Sequence, residues 1–243
     1  MTRKLIFGLN VCRPDLPEKV NMHSELYVTT ISEIRAVAKS IEVKKADCDG
    51  RVDSAMKELP FLHEMKKALQ ERHPDWDTVI SPPRAPCDIM VNSIRINLKL
   101  TNCKSSDNSV NKPSIHYSIT GLAKYRYSST WNDFLDRLTH DKTNNNIKKQ
   151  RDKLTEYHYL VKNKATGDVL LKSIFDIHTY VPNSSNSLQI NWGNEFTHSE
   201  YYTGDADYLK KVESLLLCIQ KSVKEMIERT KRFAEADICS LLT

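Results

Sequence analysis

The sequence lacks several features that mark common protein classes. It contains no uninterrupted apolar run of the length that a membrane span needs. Glycine is scarce, with 6 among 243 residues, and neither GxGxxG nor GxxxxGK[ST] occurs. Dinucleotide-binding and P-loop chemistry are therefore disfavoured. Neither GxSxG nor HExxH is present, which argues against acyl transfer and against that class of zinc site.

Cysteine use also excludes a familiar kind of site. The six cysteines are scattered and form no CxxC pair; they stand at positions 12, 48, 87, 103, 218 and 239. This spacing argues against a zinc cluster and is typical of reduced thiols in a cytosolic protein. The apolar stretch before Arg13 is too short to predict a secretory signal, so we expect a cytoplasmic protein that does not act in a membrane.

Composition and charge fit a folded domain. Hydrophobic residues make up 40% of the chain, charged residues 28%, and the formal net charge is +5. This balance is typical of a globular protein, and the modest positive charge permits a polyanionic partner without requiring one. The sequence shows no internal repeat or break in composition, and we therefore predict a single domain over residues 1–243.

Hydrophobic periodicity predicts a mixture of helices and strands, that is, an α/β fold. Helices are expected at Glu18–Glu42, about Asp53–His73, Trp131–Leu138 and Asp205–Ala236. Strands are expected at 78–80, in two runs within Cys87–Thr101, and at 157–161, 169–174 and 188–192. The polar segments 101–114 and 139–153 are expected to be loops.

The segment CDIMVNSIRINLKLT, Cys87–Thr101, is the most informative part of the chain. Its alternating apolar residues predict a hairpin that turns at Asn92-Ser93. In that register, residues whose numbers sum to 185 lie opposite each other on the two strands. The alternation then makes one face of the hairpin apolar. Asp88 and Asn97 would then lie opposite each other on the polar face, with Lys99 one step along it.

This group of side chains predicts a site for a hard divalent cation. Asp88 and Asn97 would offer two side-chain oxygens, and the backbone carbonyl of Leu98 a third, to Mg²⁺ with Mn²⁺ as a possible substitute. Such an ion polarises a phosphodiester and activates water, and the adjacent Lys99 would orient that water.

The pattern Pro86-Cys87-Asp88, followed after eight residues by Asn97-Leu98-Lys99, resembles the PD-(D/E)XK nuclease signature. The C-terminal run from NSLQINWGNEF to DADYLKKVESLL resembles type II restriction endonucleases of the EcoRV- and HincII-like branch. The resemblance implies a restriction-endonuclease-like fold, with a central mixed β-sheet flanked by helices. It also implies that a glutamate on the preceding helix assists the metal site, and Glu64 is the predicted residue, with Glu58 and Glu71 as rivals.

One residue departs from the family pattern. The middle acidic position of the motif holds Asn97, which contributes one neutral oxygen in place of a carboxylate. Two interpretations follow. Either Glu64 supplies the missing carboxylate from the helix, or the chain is a weakened or inactive version of the enzyme.

The resemblance implies Mg²⁺-dependent, sequence-specific hydrolysis of double-stranded DNA by a type II site-specific deoxyribonuclease. It further implies a homodimer with residues 1–50 as a helical dimerisation region and 51–243 as the catalytic core, and a cognate DNA methyltransferase in a prokaryotic or viral system. Hydrogen-bonding and basic side chains are the predicted DNA contacts. They are Asn102, Lys104, Asn108, Asn111, Lys112, Ser114, Lys124, Arg126, Lys148, Lys149, Arg151, Gln189 and Asn191.

Three alternatives remain open. The chain could be a repair or phage nuclease of the same superfamily, or a DNA-binding protein whose cation site has decayed. It could also be an interaction protein without a nucleic-acid role, in which Asp88 and Lys99 are merely solvated.

Overall fold

The computed structural model describes residues 18–43, 50–82, 85–103, 107–108, 112–123, 130–185, 187–198 and 207–235. Within them the helices are α1 (Glu18–Ser40), α2 (Gly50–Arg72), α3 (Lys112–Thr120), α4 (Trp131–Thr143), α5 (Trp192–Thr197) and α6 (Tyr208–Ala234). The strands are β1 (Thr78–Ile80), β2 (Ile89–Val91), β3 (Ile94–Thr101), β4 (Asp107–Asn108), β5 (Tyr157–Asn163), β6 (Val169–Ser173), β7 (Tyr180–Asn183) and β8 (Ser187–Ile190). No helix in this described part combines the length and apolar character of a membrane span.

A mixed five-stranded sheet forms the centre of the fold, in the order β1-β2-β3-β5-β6. Neighbouring strands are antiparallel except β3 and β5, which run parallel. A crossover containing α3 and α4 connects these two strands, as a parallel pair requires. The second sheet has three strands in the order β4-β8-β7. The predicted mixed α/β architecture, with helices around a mixed sheet, is confirmed in these general terms.

The two faces of the central sheet pack against different partners. On one face, α1 and α2 cover the buried side chains Ile89, Val91, Ile94, Ile96 and Leu98. On the other face, Tyr157, Tyr159 and Val161 join a core that includes α3, Trp192 and the buried stripe of α6. Polar residues of β2 and β3 on this second face consequently lie at the margin of a hydrophobic core.

The β2–β3 hairpin has the predicted register. Ile89 pairs with Ile96 and Val91 pairs with Ile94, which leaves Asn92 and Ser93 as a two-residue turn. Both turn residues have positive φ, 47° and 70°, as a turn of type I′ requires. The tip of the hairpin is also held against α1, because the side-chain amide of Asn92 donates a hydrogen bond of 3.1 Å to the hydroxyl of Thr30.

Helix α3 corrects the prediction of a loop over residues 101–114, since it begins at Lys112. Every residue from Pro113 to Thr120 is buried, so the segment has no alternation of polar and apolar faces that could reveal a helix. Proline is tolerated in the first turn of a helix. The helix ends at Gly121, whose φ of 74° is the left-handed conformation of a C-terminal cap.

Three further segments differ from the predictions. Strand β7 is missing from the predicted elements; it contains Pro182, which an edge strand of the second sheet tolerates. Trp192 begins α5 and does not end the preceding strand, because Asn191 caps the helix. Helix α4 continues to Thr143, into the predicted connection, with Thr130 and Asp133 forming a capping box at its start.

Candidate metal and nucleic-acid site

The hairpin brings the predicted polar residues to one face of the sheet. Side chains of β3 alternate along the strand, with Ile96 and Leu98 fully buried and Asn97 and Lys99 partly exposed. Asp88 directly precedes β2, whose register pairs Ile89 with Ile96. The backbone N–H of Asp88 donates to the carbonyl of Ile96 at 2.9 Å, which holds this residue against β3.

The Asp88 carboxylate is held rigidly. Its Oδ2 accepts a hydrogen bond of 2.7 Å from the backbone N–H of Leu98. Burial raises the pKa of Asp88, while this hydrogen bond and the ammonium group of Lys99 act in the opposite direction. A carboxylate in this state is poorly solvated and gains from a nearby cation.

Asn97, the residue before Leu98 on β3, has an unsatisfied side-chain oxygen. Its Oδ1 is buried and accepts no hydrogen bond from any described residue. A strand residue directs its N–H and C=O to the same side, so the carbonyl of Leu98 faces Asp88 as its N–H does. Carboxylate, amide and backbone oxygens are the donors that Mg²⁺ and Mn²⁺ accept, so the set fits a hard divalent cation.

Glu58 on α2 is within electrostatic range of Lys99 and Asp88, although α2 itself packs on the opposite face of the sheet. Glu58 is half-buried; burial raises the pKa of its carboxyl group, Lys99 lowers it and Asp88 raises it. Glu64 is exposed and lies beside Lys57 at a shallow cavity next to residues 41–43. Six residues turn a helix by about 600°, which leaves the two glutamates about 120° apart around α2.

The site contains few carboxylates. No group of three or more His, Cys, Asp and Glu side chains is placed to hold a metal ion within the described ranges. The carboxyl groups of Asp88 and Glu58 interact electrostatically with each other, and the other candidate oxygens, from Asn97 and Leu98, are neutral. Such a set predicts weak binding of a divalent ion that keeps several of its waters.

Some of the predicted DNA contacts are accessible. Asn102, at the end of β3, and Lys149 are exposed, and Gln189 on β8 is half-buried. The ammonium group of Lys112 lies over the ring of Trp131, 4.3 Å from its centroid, and burial lowers the pKa of this lysine. The predicted contacts Lys104, Asn111, Lys124 and Arg126 lie outside the described residues, and Asn108 lies in β4.

Other predicted DNA contacts are engaged inside the protein. Ser114 is buried and donates to the carbonyl of Pro86 at 3.1 Å. Asn191 uses its Oδ1 to accept from the backbone N–H of Asn194 at 3.0 Å, as an N-cap does. The ammonium group of Lys148 donates to the hydroxyl of Thr155 at 3.0 Å, and burial lowers its pKa. These internal contacts compete with a role at a DNA surface.

Arg151 requires the clearest correction among the predicted phosphate contacts. Its side chain is 1% exposed and lies between two buried carboxylates. The guanidinium donates to both oxygens of Glu156, at 2.7 and 2.8 Å, and to both oxygens of Asp176, at 2.8 and 2.7 Å. All of its charge is thus directed inward, and Arg151 supports the fold.

In comparisons with known proteins, no family model matches the chain, and neither curated protein sequences nor solved structures give a match.

Proposed function

We propose that this protein is a divalent-metal-dependent nuclease that hydrolyses phosphodiester bonds in double-stranded DNA, in the manner of a type II restriction endonuclease of the PD-(D/E)XK superfamily. The observation that carries the proposal is that Asp88 is hydrogen-bonded to the strand whose polar face bears Asn97 and Lys99, with the buried Asn97 Oδ1 left without a partner among the described residues. The mixed sheet, the preceding helix and the long terminal helix agree with the layout that the resemblance implies.

Each residue has a defined role in this proposal. Asp88, the Oδ1 of Asn97 and the carbonyl of Leu98 hold the cation, and Glu58 adds negative charge from α2. A bound divalent cation supplies activation of water and stabilisation of charge on the phosphate. Lys99 orients the attacking water and donates hydrogen bonds to the phosphate oxygens.

The proposed partner is double-stranded DNA, read by a homodimer. The net charge of +5 is compatible with a polyanion, and exposed groups such as Asn102, Lys149 and the half-buried Gln189 would contact phosphates and base edges. Two copies related by a twofold axis would cut both strands of a palindromic site.

A cleavage assay tests the proposal. Supercoiled plasmid and phage DNA are incubated with the full chain in Mg²⁺, in Mn²⁺ and in a chelator, and discrete fragments are expected only with a metal. Lys99→Ala should abolish cutting but leave DNA binding largely intact. Lys142→Ala, a change at an exposed lysine near the end of α4 that is not among the proposed DNA contacts, is the matched control. Full cleavage by the Lys99 variant would refute the assignment.

A DNA-binding protein with a weakened cation site is the second candidate, favoured by the neutral side chain of Asn97 and the small number of carboxylates. It predicts salt-dependent retention of DNA without cleavage in either metal. Asn97→Asp should then tighten cation binding. If this change leaves both activity and cation affinity unmoved, Asn97 is not a ligand.

A further inference from the structure

Arg95 lies on the same face of β3 as Asn97 and Lys99. Successive residues of a strand point to opposite faces, and the residues between these three, Ile96 and Leu98, are buried beneath α1 and α2. Arg95, Asn97 and Lys99 are each partly exposed on the other face. Two cations therefore flank one neutral amide along ~13 Å of strand, an arrangement that favours an extended anionic ligand.

The guanidinium of Arg95 is held in place by Tyr117 of α3. Its central carbon lies 3.8 Å from the centroid of the tyrosine ring, which is a cation–π contact. Tyr117 is a buried residue, and burial raises the pKa of its hydroxyl whereas the charge of Arg95 acts in the opposite direction. The hydroxyl of Tyr117 engages only part of a guanidinium fork that carries five N–H donors.

No carboxylate among the described residues forms an ion pair with Arg95. Other arginines differ in this respect, since Arg72 pairs with Glu33 at 3.3 Å and Arg151 lies between two buried carboxylates. A planar guanidinium stacked on an aromatic ring keeps its geometry and matches the oxygens of a phosphate. Arg95 is thus a partly buried and oriented cation suited to an anion from outside the chain.

A DNA strand can supply such an anion at the required distance. In the proposed function, Lys99 donates hydrogen bonds to the phosphate that is cut. One strand of a duplex carries a phosphate for about every 3.4 Å of helix axis. A strand that runs along β3 would consequently present further phosphates over the ~13 Å between Lys99 and Arg95.

We propose that Arg95 is a DNA-binding residue whose guanidinium, stacked on Tyr117, contacts a phosphate of the strand held by Lys99, at a position other than the one that is cut. The inference rests on the proposed function because it takes DNA as the ligand, but it applies equally to DNA binding without cleavage. Phosphate contacts fix the register of a protein on DNA and carry no sequence information, so the contact should serve all sequences alike.

Three variants separate the charge of Arg95 from its packing. Arg95→Gln removes the charge and keeps a planar group, whereas Arg95→Lys keeps the charge and loses the planar fork. Both alter the contact with Tyr117, so the difference between them isolates the charge. Arg72→Gln is the matched control, because it makes the same change at an arginine that already pairs with Glu33, on a helix that packs on the opposite face.

The experiment measures binding of the full chain to a labelled duplex of mixed sequence by fluorescence anisotropy. EDTA prevents metal-dependent cleavage, and the salt concentration is varied from about 50 to about 200 mM. Arg95→Gln should bind at least about 10-fold more weakly than the wild type. Its slope of log affinity against log salt should be smaller by about 0.9, the contribution of one phosphate.

The slope also distinguishes a lost contact from a damaged fold. A partly unfolded variant lowers the concentration of active protein, which shifts the apparent affinity equally at every salt concentration and leaves the slope unchanged. Arg95→Lys should therefore retain the wild-type slope, and Arg72→Gln should retain both the slope and the affinity.

Two results would overturn the inference. Equal slopes for Arg95→Gln and Arg95→Lys would show that the charge of Arg95 does not meet a phosphate, and the proposed function would still stand on the cleavage assay. Absence of salt-dependent DNA binding by the wild type would contradict the proposed function itself, and this inference with it.

Discussion

Replacement of Arg151 by methionine should strongly destabilise the protein. Methionine keeps the apolar stem but removes the guanidinium that bridges Glu156 and Asp176, whose side chains are 0% and 3% exposed. Removing one partner of a buried ion pair typically costs about 3–5 kcal/mol, because the remaining charge is left desolvated and unpaired. Arg151→Met would leave two buried carboxylates unpaired, so a loss in the upper part of this range is expected.

Urea denaturation at neutral pH, followed by circular dichroism, measures this loss directly. In a chain of this size the expected loss corresponds to a fall in melting temperature of roughly 6–20 °C. Lys149→Met changes an exposed cation two residues away and should alter the free energy of unfolding by less than about 0.5 kcal/mol. Adding Glu156→Gln and Asp176→Asn to Arg151→Met should recover much of the stability, since no buried charge of the trio remains.

A loss below about 1 kcal/mol for Arg151→Met would refute this reasoning, because that is the range of solvent-exposed ion pairs. Arg151 would then be accessible, and its predicted role as a phosphate contact would return.

Three further predictions concern other parts of the molecule. Glu58→Gln should weaken Mn²⁺ binding in a calorimetric titration, whereas Glu64→Gln should not; equal effects would contradict the assignment of Glu58. Despite burial, hydrogen bonds from Lys172 and nearby backbone N–H groups hold the pKa of Glu195 below its ordinary value of 4.5. The contribution of Glu195 to stability is therefore complete above that value and is lost as the pH falls through the lowered pKa. Acid should consequently destabilise the wild type more than it destabilises Glu195→Gln, as measured by urea titrations between about pH 7 and about pH 3. Ser93→Gly should raise the free energy of unfolding by roughly 1 kcal/mol in the same assay, because Ser93 adopts a φ of 70° that glycine tolerates; a decrease would show that its side chain stabilises the turn.

The hairpin was predictable because its signals are local. Strict alternation from Ile89 to Leu98 assigns the faces, and a two-residue turn fixes the register to the residue. The same arithmetic predicts that Asp88 and Asn97 oppose each other, and the structure joins Asp88 to β3 through hydrogen bonds with Ile96 and Leu98.

The identity of the helix glutamate was less accessible, because it depends on tertiary packing. Local periodicity reveals the apolar stripe of α2 but not how far along the sheet each turn of the helix lies. Glu64 borders the stripe in sequence, yet it is Glu58 on whose carboxyl group the charges of Lys99 and Asp88 act. The position of a helix along its axis is decided by the packing of α1 and α2 against the sheet.

The role of Arg151 and the place of β5 in the sheet depend on partners distant in sequence. A basic run such as Lys148–Arg151 is usually solvated, and burial of Arg151 requires Asp176, 25 residues later, to meet the same guanidinium. The parallel pairing of β5 with β3 is likewise invisible in local patterns, so Tyr157 gave no signal of its place beside Arg95. Alternation of buried and exposed residues is also lost in β5, where six successive residues are buried.

The most direct measurement is the location of a bound ion in crystals of the full chain grown with Mn²⁺. An anomalous difference map should contain a peak within bonding distance of an Asp88 oxygen, the Oδ1 of Asn97 and the carbonyl of Leu98, and the peak should vanish for Asp88→Ala. A map without density there, or with manganese bound only at other carboxylates, would contradict the account.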